Sequence, residues 1–132
     1  MKKIVFLSVV LLTFLISCTQ EASDGIAEMN FKTTKEYDFG KIPYKGNAEV
    51  DFVFENTGKG TLIITNVTSS CGCTVPTYPK NPIKKGKSDK IVVKYDSERV
   101  GQFTKSVKIF SNSKISPIKL VIKGEVLSPE SK

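Results

Sequence analysis

Apolar residues recur at every second position in three well-separated runs, and this period of two constrains the fold more than any other feature of the chain. Val50, Phe52 and Phe54 alternate with Glu49, Asp51 and Glu55. Ile91, Val93 and Tyr95 are spaced by Val92 and Lys94, and Ile118, Leu120 and Ile122 by Lys119 and Lys123. Successive side chains of an extended chain point to opposite faces, so each run predicts a strand with one buried face. Phe31 to Tyr37, rich in Thr and aromatics, predicts a first strand closed by Asp38-Phe39-Gly40. Leu62 to Val67 follows a turn at Asn56-Thr57-Gly58-Lys59-Gly60, and Phe103 to Phe110, after Gly101, points Val107 and Ile109 inward. No helical period is sustained after the amino-terminal segment. The expectation is an all-β antiparallel sandwich of about seven strands, with a small closed barrel as the alternative.

The amino-terminal segment reads as an export signal. Met1-Lys2-Lys3 is a positive head, and Ile4 to Ile16 is uncharged and apolar but for Ser8 and Thr13. That run is shorter than the roughly 18–20 residues a helix needs to span a bilayer, and has the length of a secretory hydrophobic region. It ends in Leu15-Ile16-Ser17-Cys18, the pattern of a bacterial lipobox. There the cysteine thiol takes a diacylglycerol and a peptidase cuts just before it. Residues 1–17 are thus expected to be a removed signal peptide, Cys18 the lipidation site, and residues 18–28 a flexible tether to the membrane. Thr19 stands where an aspartate would retain some lipoproteins of enteric bacteria in the inner membrane, which favours the outer membrane. The expected location is outside the cytoplasm.

Composition narrows the chemistry. The chain has no His, which removes the commonest general base and the commonest metal ligand. Ser-His-Asp and Cys-His mechanisms are excluded, as are the usual His-containing zinc sites. No catalytic residue, cofactor or small-molecule substrate is expected, and the chain reads as a non-enzyme. The formal charge of +7 falls to +5 once Lys2 and Lys3 leave with the signal, because 18 basic then stand against 13 acidic residues. Solubility alone accounts for so mild an excess, and with no basic patch interleaved with aromatics, nucleic acid is not an expected partner.

Several motifs in fixed order resemble the DUF1573 family. They are Asp38-Phe39-Gly40-Lys41-Ile42, Phe54-Glu55-Asn56-Thr57-Gly58, Leu62-Ile63-Ile64 and Ser70-Cys71-Gly72-Cys73-Thr74. Pro82-Ile83, Lys85-Gly86-Lys87, Ile91 to Asp96, Gly101-Gln102-Phe103, Ser111-Asn112 and Lys123-Gly124-Glu125-Val126 continue the match, which covers roughly residues 30–127. The resemblance implies an Ig-like sandwich over 29–128, similar to the ASPM–SPD-2–Hydin domain group. It also implies an exported or lipid-anchored protein of Bacteroidota-type bacteria, and assigns no function.

Cys71-Gly72-Cys73 is the one constellation with chemistry in it. With Cys18 given to lipid, two cysteines remain in an oxidising compartment. In an extended chain their alpha carbons would stand about 6.6 Å apart, near the upper limit for a bridge, and a turn at Gly72 would shorten this. Three readings stay open: a structural pair, bridged or packed as thiols; a redox pair; or a soft-metal site, since two thiolates suit Cu(I). After it, Val75-Pro76-Thr77-Tyr78-Pro79-Lys80-Asn81-Pro82 is stiffened by three prolines and unsuited to a central strand. Tyr78 is either a contact residue or a cap folded onto the core. Lys84, Lys85 and Lys87 form a basic turn around Gly86, either a contact surface or simply solvated. Asp38-Phe39-Gly40 matches a kinase triplet in letters only, and Asn66-Val67-Thr68 is a glycosylation sequon that has no meaning in most bacteria. The favoured expectation is a membrane-tethered module that binds an envelope protein or polymer.

Overall fold

The computed structural model describes residues 25–129. The segment expected to be a signal peptide at 1–17, the expected lipidation site Cys18 and the start of the expected tether lie outside the described residues. Eight strands form two four-stranded sheets, with no helix among the described residues. They are β1 (Met29–Phe31), β2 (Glu36–Ile42), β3 (Glu49–Asn56), β4 (Ile64–Ser69), β5 (Thr74–Thr77), β6 (Ser88–Tyr95), β7 (Gly101–Ser111) and β8 (Ile118–Val126). One sheet has the order β1-β3-β6-β5 and the other β2-β8-β7-β4. The sheets stay separate and each keeps two edges, so the fold is a sandwich rather than a barrel.

Three departures from the sequence pattern have local causes. Phe31 to Tyr37 is two strands in two sheets: Phe31 pairs with Phe54, whereas Glu36 and Tyr37 pair with Val121 and Ile122. Between them Thr34 Oγ1 donates to the Glu36 carbonyl at 2.7 Å, and such local bonding helps turn the chain out of one ladder toward the other. Asp38-Phe39-Gly40 does not close a strand; it lies within β2 at a register shift. Gly40 has φ +63° there and its N–H donates to Asp38 Oδ1 at 2.8 Å, so the triplet makes a bulge. The β2–β8 pair is also parallel, whereas the other pairs of named strands are antiparallel. The two strands are far apart in sequence, so no hairpin imposes an antiparallel pairing.

The core follows the alternation. Phe52, Phe54, Ile91, Val93, Val107, Ile109, Leu120 and Ile122 are all buried between the sheets. Along β8 the inward positions run Ile118, Leu120, Ile122, Gly124 and Val126, and Gly124 leaves a gap where a side chain is expected. Phe103, directly opposite Gly124 on β7, fills it: a Cβ on Gly124 would lie 3.0 Å from Phe103 Cζ. Tyr95 then stacks on Phe103 from the other sheet, with centroids 3.7 Å apart and planes at 12°.

Asn56, at the end of β3, is the fully buried polar hub of one end of the sandwich. Its Nδ2 donates to the carbonyls of Gly60 and Ile83 at 2.8 and 2.9 Å. Its Oδ1 accepts from the N–H of Gly58 at 3.1 Å and of Glu28 at 3.3 Å. Gly58 is required by close approach, since a Cβ there would meet Glu28 N and Ile26 O at 2.4 Å.

Candidate functional site

The chain passes from one sheet to the other through Ser70-Cys71-Gly72-Cys73, between the edge strands β4 and β5. Cys71 and Cys73 form a disulfide across this corner with alpha carbons 5.3 Å apart, closer than an extended chain allows. The turn is held from both sides. Ser69 Oγ donates to the Cys71 carbonyl at 2.8 Å, and Asp96 N–H donates to the Cys73 carbonyl at 2.9 Å. The two sulfurs differ in setting: Cys73 is buried with the core, whereas Cys71 packs against its margin and is half-buried. A Cβ on Gly72 would touch nothing within 4 Å, so the outer side of the bridge is open. Thr74, itself buried, sets its hydroxyl 3.7 Å from Cys71 Sγ and 3.9 Å from Cys73 Sγ. Sequence reasoning overlooked Thr74, although its place directly after the second cysteine was the available signal.

Beyond the corner, Thr74–Thr77 forms strand β5 despite Pro76. As an edge strand it pairs only with β6, so a proline can be tolerated there. Val75 on this strand is 58 % exposed. Tyr78 is partly buried against the core, and Lys80 Nζ stands 3.3 Å above its ring centroid.

Lys84, Lys85 and Lys87 lie elsewhere. β5 and β6 are antiparallel, with Thr74 opposite Tyr95, whereas the basic turn precedes Ser88 at the other end of β6. An eight-residue strand, about 24 Å long, therefore separates the disulfide corner from the basic turn. The turn is closed by Lys87 N–H on the Lys84 carbonyl at 3.1 Å, with Gly86 at φ +74°. It docks on Asn56 through Gly86 N–H on the Asn56 carbonyl and Asn56 N–H on the Lys87 carbonyl. All three lysines are exposed and none is in an ion pair among the described residues. Tyr78 and the lysines thus do not form one surface with the cysteines. Among the described residues no group of three or more Cys, Asp or Glu side chains is placed to hold a metal ion.

The fold is of a known class, an Ig-type antiparallel β-sandwich. The chain belongs to the DUF1573 family, proteins of unknown function, whose family model matches residues 29–126. No curated protein matches the sequence. A Porphyromonas gingivalis W83 protein of unknown function superposes with a TM-score of 0.64 at 19 % identity, over 76 % of this chain and 46 % of that one. The chain therefore spans less than half the length of that relative. The ASH/PapD-like domain 7 of human CEP192 superposes with a TM-score of 0.61 at 10 % identity, over 79 % of this chain and 87 % of that domain. The secreted serine protease VesC from Vibrio cholerae matches over 79 % of this chain but 24 % of its own, with a TM-score of 0.57 and 13 % identity. At these identities the likeness is one of fold.

Proposed function

We propose that the chain is a lipid-anchored, non-enzymatic binding module of the cell envelope, held outside the cytoplasm at the outer membrane by acyl chains on Cys18. The corner and strand β5 are the surface that meets a protein or polymer partner. The observation that carries this reading is Val75: an aliphatic side chain 58 % exposed on an edge strand clamped between the disulfide and a proline-rich segment. A stiff edge loses little conformational freedom on binding, and its unpaired backbone groups are available to a partner. A photo-crosslinking residue placed at Val75 in intact cells is expected to give a discrete adduct, and one at Val53 on β3 is not. Equal labelling from both positions, or none from either, would overturn the assignment of this edge. Cys18→Ala is expected to abolish acyl labelling and membrane fractionation.

A second reading is favoured by Thr74, whose hydroxyl faces both sulfurs and can donate to a thiolate. In it the bridge exchanges with a dithiol of a partner protein. A partner thiolate attacks Cys71 Sγ, the more accessible sulfur, and expels Cys73 as a thiolate beside Thr74. The partner's second thiolate then attacks its own sulfur in the mixed disulfide and expels Cys71. Two electrons pass from the partner to this chain, two thiol protons are released as the partner thiols ionise, and the Cys71 and Cys73 thiolates take up two protons. The reduced pair is also the only form that could take a soft cation such as Cu(I).

A further inference from the structure

Both sheets carry ion pairs on their outer faces, among them Lys123 with Glu36 at 2.6 Å on the sheet of β2, β8, β7 and β4. On the sheet of β1, β3, β6 and β5, Lys90 pairs with Asp51 at 2.7 Å, Lys32 with Glu55 at 2.9 Å, and Lys94 stands opposite Glu49. On the other sheet, Lys108 of β7 stands directly opposite Lys119 of β8, and neither has an acidic partner among the described residues. Like charges directly across a ladder oppose folding, so this pair adds nothing to stability.

Its surroundings are donors. On the other side of Lys108 the register places Thr68, and one row along the sheet Ser70 stands beside Ser106. Thr68, Ser69, Ser70, Ser106 and Lys108 line a hollow of about 210 Å³. The hydroxyls of Thr68 and Ser106 have no partner among the described residues. Ser70 Oγ accepts from Ser106 N–H at 3.1 Å and keeps its own proton to donate. Three free hydroxyl donors beside the Lys108 ammonium, with Lys119 across the ladder from it and no carboxylate lining the hollow, match an oxyanion with several acceptor oxygens. We propose that this face of β4, β7 and β8 binds a phosphate group. The assignment goes beyond the proposed partner surface of the corner and β5: the two share only Ser70, where the corner begins, and either can fail alone.

The test is an NMR titration of the full ¹⁵N-labelled chain in non-ionic detergent, with inorganic phosphate and, separately, with dihexanoylphosphatidylglycerol. Saturable shifts are expected at Ser70, Ser106, Lys108 and Lys119, weakening as chloride is raised. Lys108→Gln and Lys119→Gln should each weaken binding about tenfold, and the double variant should abolish it. The double variant should melt no lower than the parent, because a repulsion has been removed. Lys84→Gln/Lys85→Gln should bind as the parent does. Tighter binding of the lipid would make a headgroup the source of the phosphate, and equal binding would make it the free ion. The absence of saturable shifts with both probes, or unchanged binding by the double variant, overturns the proposal.

Discussion

Asn56 Nδ2 donates to the carbonyl of Ile83 at 2.9 Å, joining the end of β3 to a segment 27 residues later. Ile83 in turn exchanges both backbone bonds with Leu62 at 2.8 Å each, so this one amide holds the return of the chain after β5. The same side chain binds Gly58 and Glu28, which ties β1 and the turn after β3 to that point.

Asn56→Ala is therefore expected to destabilise the domain by more than about 3 kcal/mol, because the buried Gly60 carbonyl and Gly58 N–H lose their partner and the amide's own volume is left empty. Asn56→Asp keeps the acceptor for Gly58 and Glu28 but loses both donated bonds and buries a charge, so it should fare no better at neutral pH. Urea unfolding with an unchanged m-value would report this directly. A cost below about 1 kcal/mol for the alanine variant would show that the hub is dispensable.

Gly124→Ala is expected to cost about 1–3 kcal/mol through overpacking. Its Cβ would sit 3.0 Å from the Phe103 ring and 3.1 Å from the Gly40 carbonyl, and Phe103 is pinned by the stacked Tyr95. Pairing it with Phe103→Leu should recover part of that loss, since the smaller side chain vacates the space. A double variant no more stable than the sum of the single losses predicts would place the strain elsewhere.

The sheets were legible because burial imposes the period of two: Phe52, Phe54, Val107 and Leu120 all point where their alternation places them. The split of residues 31–37 was not legible, since Thr and aromatic residues suit a strand in either sheet and the choice depends on partners far along the chain. The proline at 76 hid β5, because sequence alone does not distinguish an edge strand from a loop. The turn at Gly72 was legible as a way of bringing the two cysteines together. The setting of the bridge was not, because Thr74 matters only once the corner folds its hydroxyl back onto the sulfurs. The Lys108–Lys119 pair is a matter of register between two strands and leaves no local mark.

Burial raises the Tyr95 phenol above its ordinary value of 10.0; Arg99 opposes the shift and Asp96 adds to it. The folded state thus holds this proton more tightly than the unfolded chain. Stability from this source is complete below about pH 10 and is lost as pH rises through the raised folded value. Tyr95→Phe keeps the stack on Phe103 and should match the parent at neutral pH, then lose stability less steeply above pH 10. The amines of Lys90 and Lys123 are also raised, by the hydrogen bonds they donate to Asp51 and Glu36 respectively. Their loss sets in above 10.5 and is common to both proteins, so the difference between the two pH–stability curves isolates the phenol. Parallel curves from pH 9 to 11 would remove burial of Tyr95 as the cause.

Cys71→Ser/Cys73→Ser separates the binding module from the exchanging disulfide. The bridge closes a loop with one intervening residue, so the chain entropy it removes from the unfolded state is small, and its loss should cost about 1–2 kcal/mol. Much of the corner's form does not depend on sulfur, because the bonds from Ser69 to the Cys71 carbonyl and from Asp96 to the Cys73 carbonyl survive the change. A binding module should keep its crosslink from position 75 in this variant. An exchanging protein should lose its mixed disulfide with a dithiol partner both here and in Cys73→Ser alone, because neither variant holds a bridge for the partner thiolate to attack. Thr74→Val sharpens the distinction: it leaves a bridge that serves only structure intact, whereas removing the donor beside the expelled thiolate should slow reduction by a dithiol. Unaltered reduction kinetics in Thr74→Val, together with an intact crosslink in the double serine variant, would leave the disulfide as a pin for the β4–β5 corner.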